Sequence, residues 1–156
     1  MFVNLLKSML HNIGVVMVGL GLAYLGTRVD ALVGVSTFAS PLVDVAALLL
    51  LALGFLVRVW ATVYFYAHNM RVIALEPQKT LITCGPYRFS RHPLYLGGNV
   101  CMFFGAALLF GSPTALCATA LHLPLMERFI RREEEQLERD FGEAWQRYKQ
   151  RVRRWV

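Results

Sequence analysis

From Pro93 to Met126 the chain runs through 34 residues without a Lys, Arg, Asp or Glu. As one helix this run would be about 51 Å long, at about 1.5 Å per residue. The hydrocarbon core of a bilayer is only about 30 Å thick. Gly111-Ser112-Pro113 lies inside the run and is a turn signal. The run therefore predicts a tight helical hairpin. Two more apolar stretches precede it. Ser8 to Thr27 holds no charged residue, and Val45 to Leu75 is interrupted only by Arg58 and Arg71. Each is long enough for a bilayer-spanning helix. Charged residues make up 17% of the chain, against roughly 25% in soluble domains. This pattern excludes a small soluble enzyme, a disordered tail and a DNA-binding module. Cys84, Cys101 and Cys117 are odd in number, lie in or beside apolar stretches and form no C-x-x-C pair. That excludes a disulfide scaffold and leaves no expected metal site.

The chain reads as one all-α integral membrane domain over residues 1–156, with four spans at about 4–25, 42–66, 93–110 and 114–130. The first is too long and lacks the small-residue cleavage site of a signal peptide. With four spans, the start of the chain, the loop 67–92 and the tail 127–156 share one side. That side carries Lys7, Arg71, Lys79, Arg88, Arg91 and nine Lys and Arg of the tail, while the other carries Arg28. The positive-inside rule then predicts both termini in the cytoplasm, of a bacterial inner membrane or of the endoplasmic reticulum. The net charge of +6 has the same origin. A basic tail mixed with Glu127, Glu133, Glu134, Glu135, Glu138, Asp140 and Glu143 suits anionic headgroups better than nucleic acid. The tail is rich in helix formers. Leu137, Phe141, Trp145 and Tyr148 form an apolar stripe, and Gly142 marks a bend. The stripe predicts that the tail folds back on the membrane core or lies at the interface.

The stretch richest in chemistry is the loop from Thr80 to Gly97. Gly85-Pro86 is a turn, and His92 precedes Pro93, a residue favoured at the first position of a helix. His92 is thus expected at the N-cap of the third span, where free N–H groups and the helix dipole favour an anion. Arg88 and Arg91 lie nearby. Tyr87, Phe89 and Tyr95 offer faces for a flat base or a cationic centre. These residues imply a ligand with an anionic part and a flat or cationic part. If the last two spans pair antiparallel, the cluster Arg128 to Gly142 is brought beside His92.

Gly85-Pro86-Tyr87, Arg91-His92-Pro93-Leu94-Tyr95-Leu96-Gly97, Glu133-Glu134, Leu137, Phe141-Gly142 and Arg151-Val152 together resemble the isoprenylcysteine carboxyl methyltransferases, relatives of the phospholipid N-methyltransferases. The resemblance covers residues 78–152. It implies a multi-pass methyltransferase using S-adenosylmethionine, with S-adenosylhomocysteine as product and the cofactor loop at 78–95. It implies cofactor contacts by Thr80, Leu81, Ile82, Tyr87, Arg91, His92, Pro93, Leu94, Tyr95 and Glu133. It implies catalytic work by Arg128, Glu133 and Glu134. Lys79 stands where the family often has His. The family's substrate-contacting Arg falls at Phe129, and flanking Arg128 takes that role, with Arg131 and Arg132 beside it. The acceptor implied is the carboxylate of an isoprenylcysteine, entering sideways from the bilayer. A carboxylate needs an Arg to hold it, whereas the amine of a phospholipid would need a base such as Glu133 or Glu134. A small four-helix transporter or scaffold is the alternative outside enzymology. Sterol reductases have many more spans than 156 residues can form.

Arg58 lies inside the second span, where an ionisable residue is a functional candidate, or a snorkelling one. His68 and Asn69 could line the acceptor path. His11 and His122 read as packing or interface residues.

Overall fold

The computed structural model describes residues 2–68, 70 and 80–156. Asn69, Arg71, Gln78 and Lys79 lie outside the described residues. Those described form helices α1 (Phe2–Leu32), α2 (Pro41–Ala67), α3 (Pro93–Leu109), α4 (Pro113–Phe141) and α5 (Glu143–Arg151), with a 3₁₀ turn at Gly85–Arg88 and no strand. Pro41, Pro93 and Pro113 start their helices, because a fixed φ and a missing N–H cost nothing there.

Two of the described helices, α1 and α2, are long and apolar enough to cross a membrane. Their large side chains face outward: Leu22 is 54% exposed, Leu49 66% and Leu56 65%. Contiguous apolar surface of this kind marks a lipid or protein contact. The inward faces are small or polar, with Ser8, Asn12, Gly19, Ala23 and Gly26 buried on α1 and Ala47, Gly54, Ala61 and Thr62 on α2. Small residues let membrane helices approach closely. A Cβ at Gly54 would lie 2.5 Å from the Gly97 carbonyl and 2.7 Å from Met102 Cγ, so α2 and α3 touch through backbone. Gly54→Ala is expected to destabilise the protein by about 1–3 kcal/mol through overpacking. A thermal melt in detergent tests this, and an unchanged midpoint would contradict the contact.

Polar groups inside the bundle satisfy one another. Arg58 does not snorkel. It is buried, and its Nε donates to Asn12 Oδ1 at 2.8 Å, its Nη1 to Leu94 O at 2.9 Å and its Nη2 to His11 Nε2 at 3.3 Å. Asn12 Nδ2 in turn donates to Thr62 Oγ1 at 2.9 Å. At the other end of the bundle Asp30 is fully buried. It accepts from the Ser112 hydroxyl and from the Thr114 backbone N–H at 3.0 Å, which places a carboxylate at the positive end of α4. His122 accepts from Asn99 Nδ2 at 3.2 Å.

The structure departs from the sequence reading in two places. The helix expected at 93–110 is not uniform: Leu96–Met102 is π-helical between two α-helical pieces. The wide turn falls where Gly97 and Gly98 lie against Arg58, with a Cβ at Gly98 only 2.5 Å from Arg58 Nη1. The expected span 114–130 and the tail helix beginning at Glu127 are one continuous helix of 29 residues, α4, which Pro124 does not end. The break comes at Gly142, whose φ of +47° suits glycine. It separates α4 from α5.

Candidate functional site

The loop 80–92 crosses the end of the bundle where α2 finishes. Gly85 has a φ of +60°, and a Cβ there would strike the Tyr64 ring at 2.5 Å. This close turn starts the 3₁₀ segment and drives Tyr87 inward, only 6% exposed, against Phe65 with ring centroids 5.9 Å apart. Tyr148 Oη, from α5, donates to the Tyr87 carbonyl at 2.7 Å. Burial, then the nearby Glu133 and Tyr148, push the Tyr87 hydroxyl well above its usual pKa, so it stays a donor at neutral pH.

His92 stands at the N-cap of α3, as Pro93 requires, but its side chain turns toward α4. Its Nε2 donates to Glu134 Oε1 at 3.1 Å, and its Nδ1 lies 3.9 Å from Glu133 Oε2. Tyr95 sits edge-on to the His92 ring, centroids 5.7 Å apart, and its hydroxyl bonds to Glu133. Glu134 also receives Arg91 Nη2 at 3.1 Å and Arg154 Nε at 3.2 Å. Arg154 reaches Glu127 as well. The segment carrying Arg154 is tied to the loop by backbone: Arg91 N donates to Arg153 O at 3.0 Å, and Ser90 Oγ to Arg154 O at 2.8 Å. Burial pushes the Glu134 carboxyl up. Hydrogen bonds from His92 and Arg154 and the charges of Arg91 and Arg154 together outweigh it and hold the pKa at about 2.

In front of this cluster opens a narrow cleft. Leu81, Ile82, Tyr87, Arg91, His92, Pro93, Leu94, Tyr95 and Glu133 line it. Thr80 is exposed and outside the lining. Glu134 is buried behind the wall in its ion pairs, and Arg128 is exposed on α4 away from the lining. Arg131 is exposed and paired with Glu127 at 3.1 Å, and Arg132 is exposed. His68 bonds to the Tyr64 carbonyl of its own helix at 2.8 Å and is not part of the lining.

Sequence reasoning did not assign Phe65, Leu137, Trp145 and Tyr148, which complete the walls. Three of these sit in or near the stripe that reads as packing, and Phe65 lies in a span without a motif. The cleft has one more property. Tyr87 Oη, Arg91 Nε and Trp145 Nε1 are buried without a hydrogen-bond partner among the described residues. All three are donors, and all three residues line this cleft.

Apolar helices that expose their large side chains suit a membrane protein, and a polar and aromatic cleft lies at one end of them. The chain matches the phospholipid methyltransferase family model over residues 42–144, about two thirds of its length. It belongs to that family, to which the isoprenylcysteine carboxyl methyltransferases are related, and is accordingly a membrane methyltransferase. Among curated proteins and among solved structures, none matches the chain significantly.

Proposed function

We propose that the protein methylates the amine of a membrane lipid, with S-adenosylmethionine as methyl donor. The observation that carries this reading is Glu133. It is the carboxylate of the cleft lining, beside His92 and bonded to Tyr95. A lipid amine is an ammonium at neutral pH and has no lone pair to offer. Glu133 accepts its proton and leaves the nitrogen nucleophilic.

The cleft fits the cofactor's three chemical parts. Orphaned donors from Tyr87, Arg91 and Trp145 suit the carboxylate and the heteroatoms of the adenosyl part. The rings of Phe65, Tyr87 and Tyr95 suit a flat base or a sulfonium. Leu81, Ile82, Leu94 and Leu137 exclude water from the reacting atoms. When bound, S-adenosylmethionine supplies a methyl group activated by its sulfonium. The protein's own task is to hold donor and acceptor in line. Thr80, outside the lining, would touch cofactor only after a local rearrangement of the loop. Glu134 acts as a support: it orients His92 and Arg91 from behind.

A second reading, methylation of an isoprenylcysteine carboxylate, is favoured by the motif resemblance and by Arg128, exposed on α4 five residues before Glu133. In both readings the acceptor arrives laterally from the bilayer. Both place the protein as four spans with both termini in the cytoplasm. Supporting this, Ser8 of α1 bonds to Val59 in the last third of α2, and Arg91 of the loop bonds to Arg153, so the start of α1, the loop 80–92 and the Arg153–Arg154 segment lie toward one end.

Calorimetric titration of S-adenosylhomocysteine into the detergent-purified protein tests the cofactor. Saturable one-to-one binding is expected, and His92→Ala should weaken it by about tenfold, because the cleft loses a lining side chain and Glu134 loses a hydrogen bond that holds the wall in place. Absence of binding by folded, lipid-supplemented protein would overturn the reading in favour of a transporter or scaffold, which has no use for this ligand.

A further inference from the structure

We propose that Trp145 of α5 is a cofactor-binding residue whose indole N–H, together with the Nε–H of Arg91, holds the carboxylate of the donor's amino-acid end. This rests on the cofactor reading above. Trp145 lies one residue beyond the segment matched to the family, so nothing in that match assigns it a role.

Trp145 is 1% exposed, and its Nε1–H has no partner among the described residues. Burying an unpaired polar group is unfavourable, and an apolar aromatic side chain would avoid it. The orphan is explained if a ligand supplies the acceptor. Trp145 lines the cleft, and its ring lies 5.7 Å from the Arg91 guanidinium carbon. Arg91 Nη2 pairs with Glu134 at 3.1 Å, while its Nε has no hydrogen-bond partner among the described residues. Two unpaired N–H donors, one of them charged, therefore stand in neighbouring side chains on one cleft. A carboxylate has two oxygens and can accept both. Of the other polar groups in the lining, His92 is bonded to Glu134 and faces Glu133, and Tyr87 offers a neutral hydroxyl, so the corner that holds the Arg91 charge is the best suited to an anion.

α5 is short and reaches the cleft because Gly142 turns the chain. Trp145 packs at a tilt against Tyr148, centroids 5.6 Å apart, and Tyr148 is bonded to the loop through the Tyr87 carbonyl. The indole is thus held in place before the ligand arrives.

The test is Trp145→Phe, titrated with two probes: S-adenosylhomocysteine, and 5′-methylthioadenosine, which keeps the adenosyl thioether but lacks the amino-acid end. The Kd for the first is expected to rise about tenfold, and that for the second to stay within about twofold of wild type. An unchanged Kd for S-adenosylhomocysteine would overturn the proposal while leaving the cofactor reading intact. So would equal weakening of both probes, which would place the indole on the adenosyl part. Wild-type protein that binds neither probe would overturn the cofactor reading and this proposal with it. If Trp145→Phe does not fold, the ¹⁵N-indole resonance of Trp145 in wild-type protein reads the same contact, assigned with Trp60→Phe and Trp155→Phe. It should move downfield with S-adenosylhomocysteine and not with methylthioadenosine. No movement would overturn the proposal.

Discussion

Glu134→Ala is expected to destabilise the protein by roughly 3 kcal/mol, the low end for breaking a buried ion pair. Glu134 is the shared counter-ion of Arg91 and Arg154 and the acceptor for His92. Its side chain is 7% exposed and that of Arg91 9%, but that of Arg154 is 27% exposed, so water screens part of the loss. Without the carboxylate, Arg91 loses its ion pair and His92 Nε2 its acceptor, while Arg154 keeps Glu127. The expected readout is a thermal midpoint lower by about 10 °C in detergent. The same carboxylate sets an acid limit. Its folded pKa is about 2 against an ordinary 4.5. Its stabilisation is therefore complete above about pH 4.5 and is lost as the pH falls from there toward 2. Glu134→Gln should flatten the stability profile across that window. A profile with the same acid slope as wild type would show that Glu134 does not carry it.

Glu133→Gln is expected to lower kcat with a phospholipid amine acceptor by about a hundredfold, the lower range for removing a general base. The measurement is methyl transfer to phosphatidylethanolamine at saturating S-adenosylmethionine. In parallel, S-farnesylcysteine offers a carboxylate, which is already nucleophilic at neutral pH and needs no base. Loss confined to the amine acceptor supports Glu133 as the proton acceptor. Equal loss with both acceptors would assign it to cofactor binding alone. Wild-type activity on S-farnesylcysteine, with none on phosphatidylethanolamine, would favour the isoprenylcysteine reading and bring Arg128 forward as the residue that holds the acceptor.

The long apolar runs make helices predictable, because a backbone inside hydrocarbon must satisfy its own hydrogen bonds. Pro93 predicts the helix start and so puts His92 at its N-cap, a purely local effect of a fixed φ. The residues from Leu81 to Tyr95 that line the cleft are close in sequence, so a motif could collect most of them. Gly142 is likewise readable as a bend.

Other features depend on how the helices rotate and pack. Successive residues on a helix point about 100° apart. Whether Glu133 or Glu134 faces the cleft is therefore set by the rotation of α4 against His92. That rotation puts Glu133 in the lining and Glu134 behind it, among arginines from two other segments. It leaves Arg128 on the outer surface. Arg154 is distant in sequence from everything it pairs with, and Trp145 reads in the sequence as one more apolar residue of a stripe. Its N–H becomes conspicuous only once the fold has buried it with no acceptor. Local chemistry along the chain thus specifies helices, a turn and a binding loop. Which side chains meet across them depends on contacts between residues far apart in sequence, and those exist only in the packed bundle.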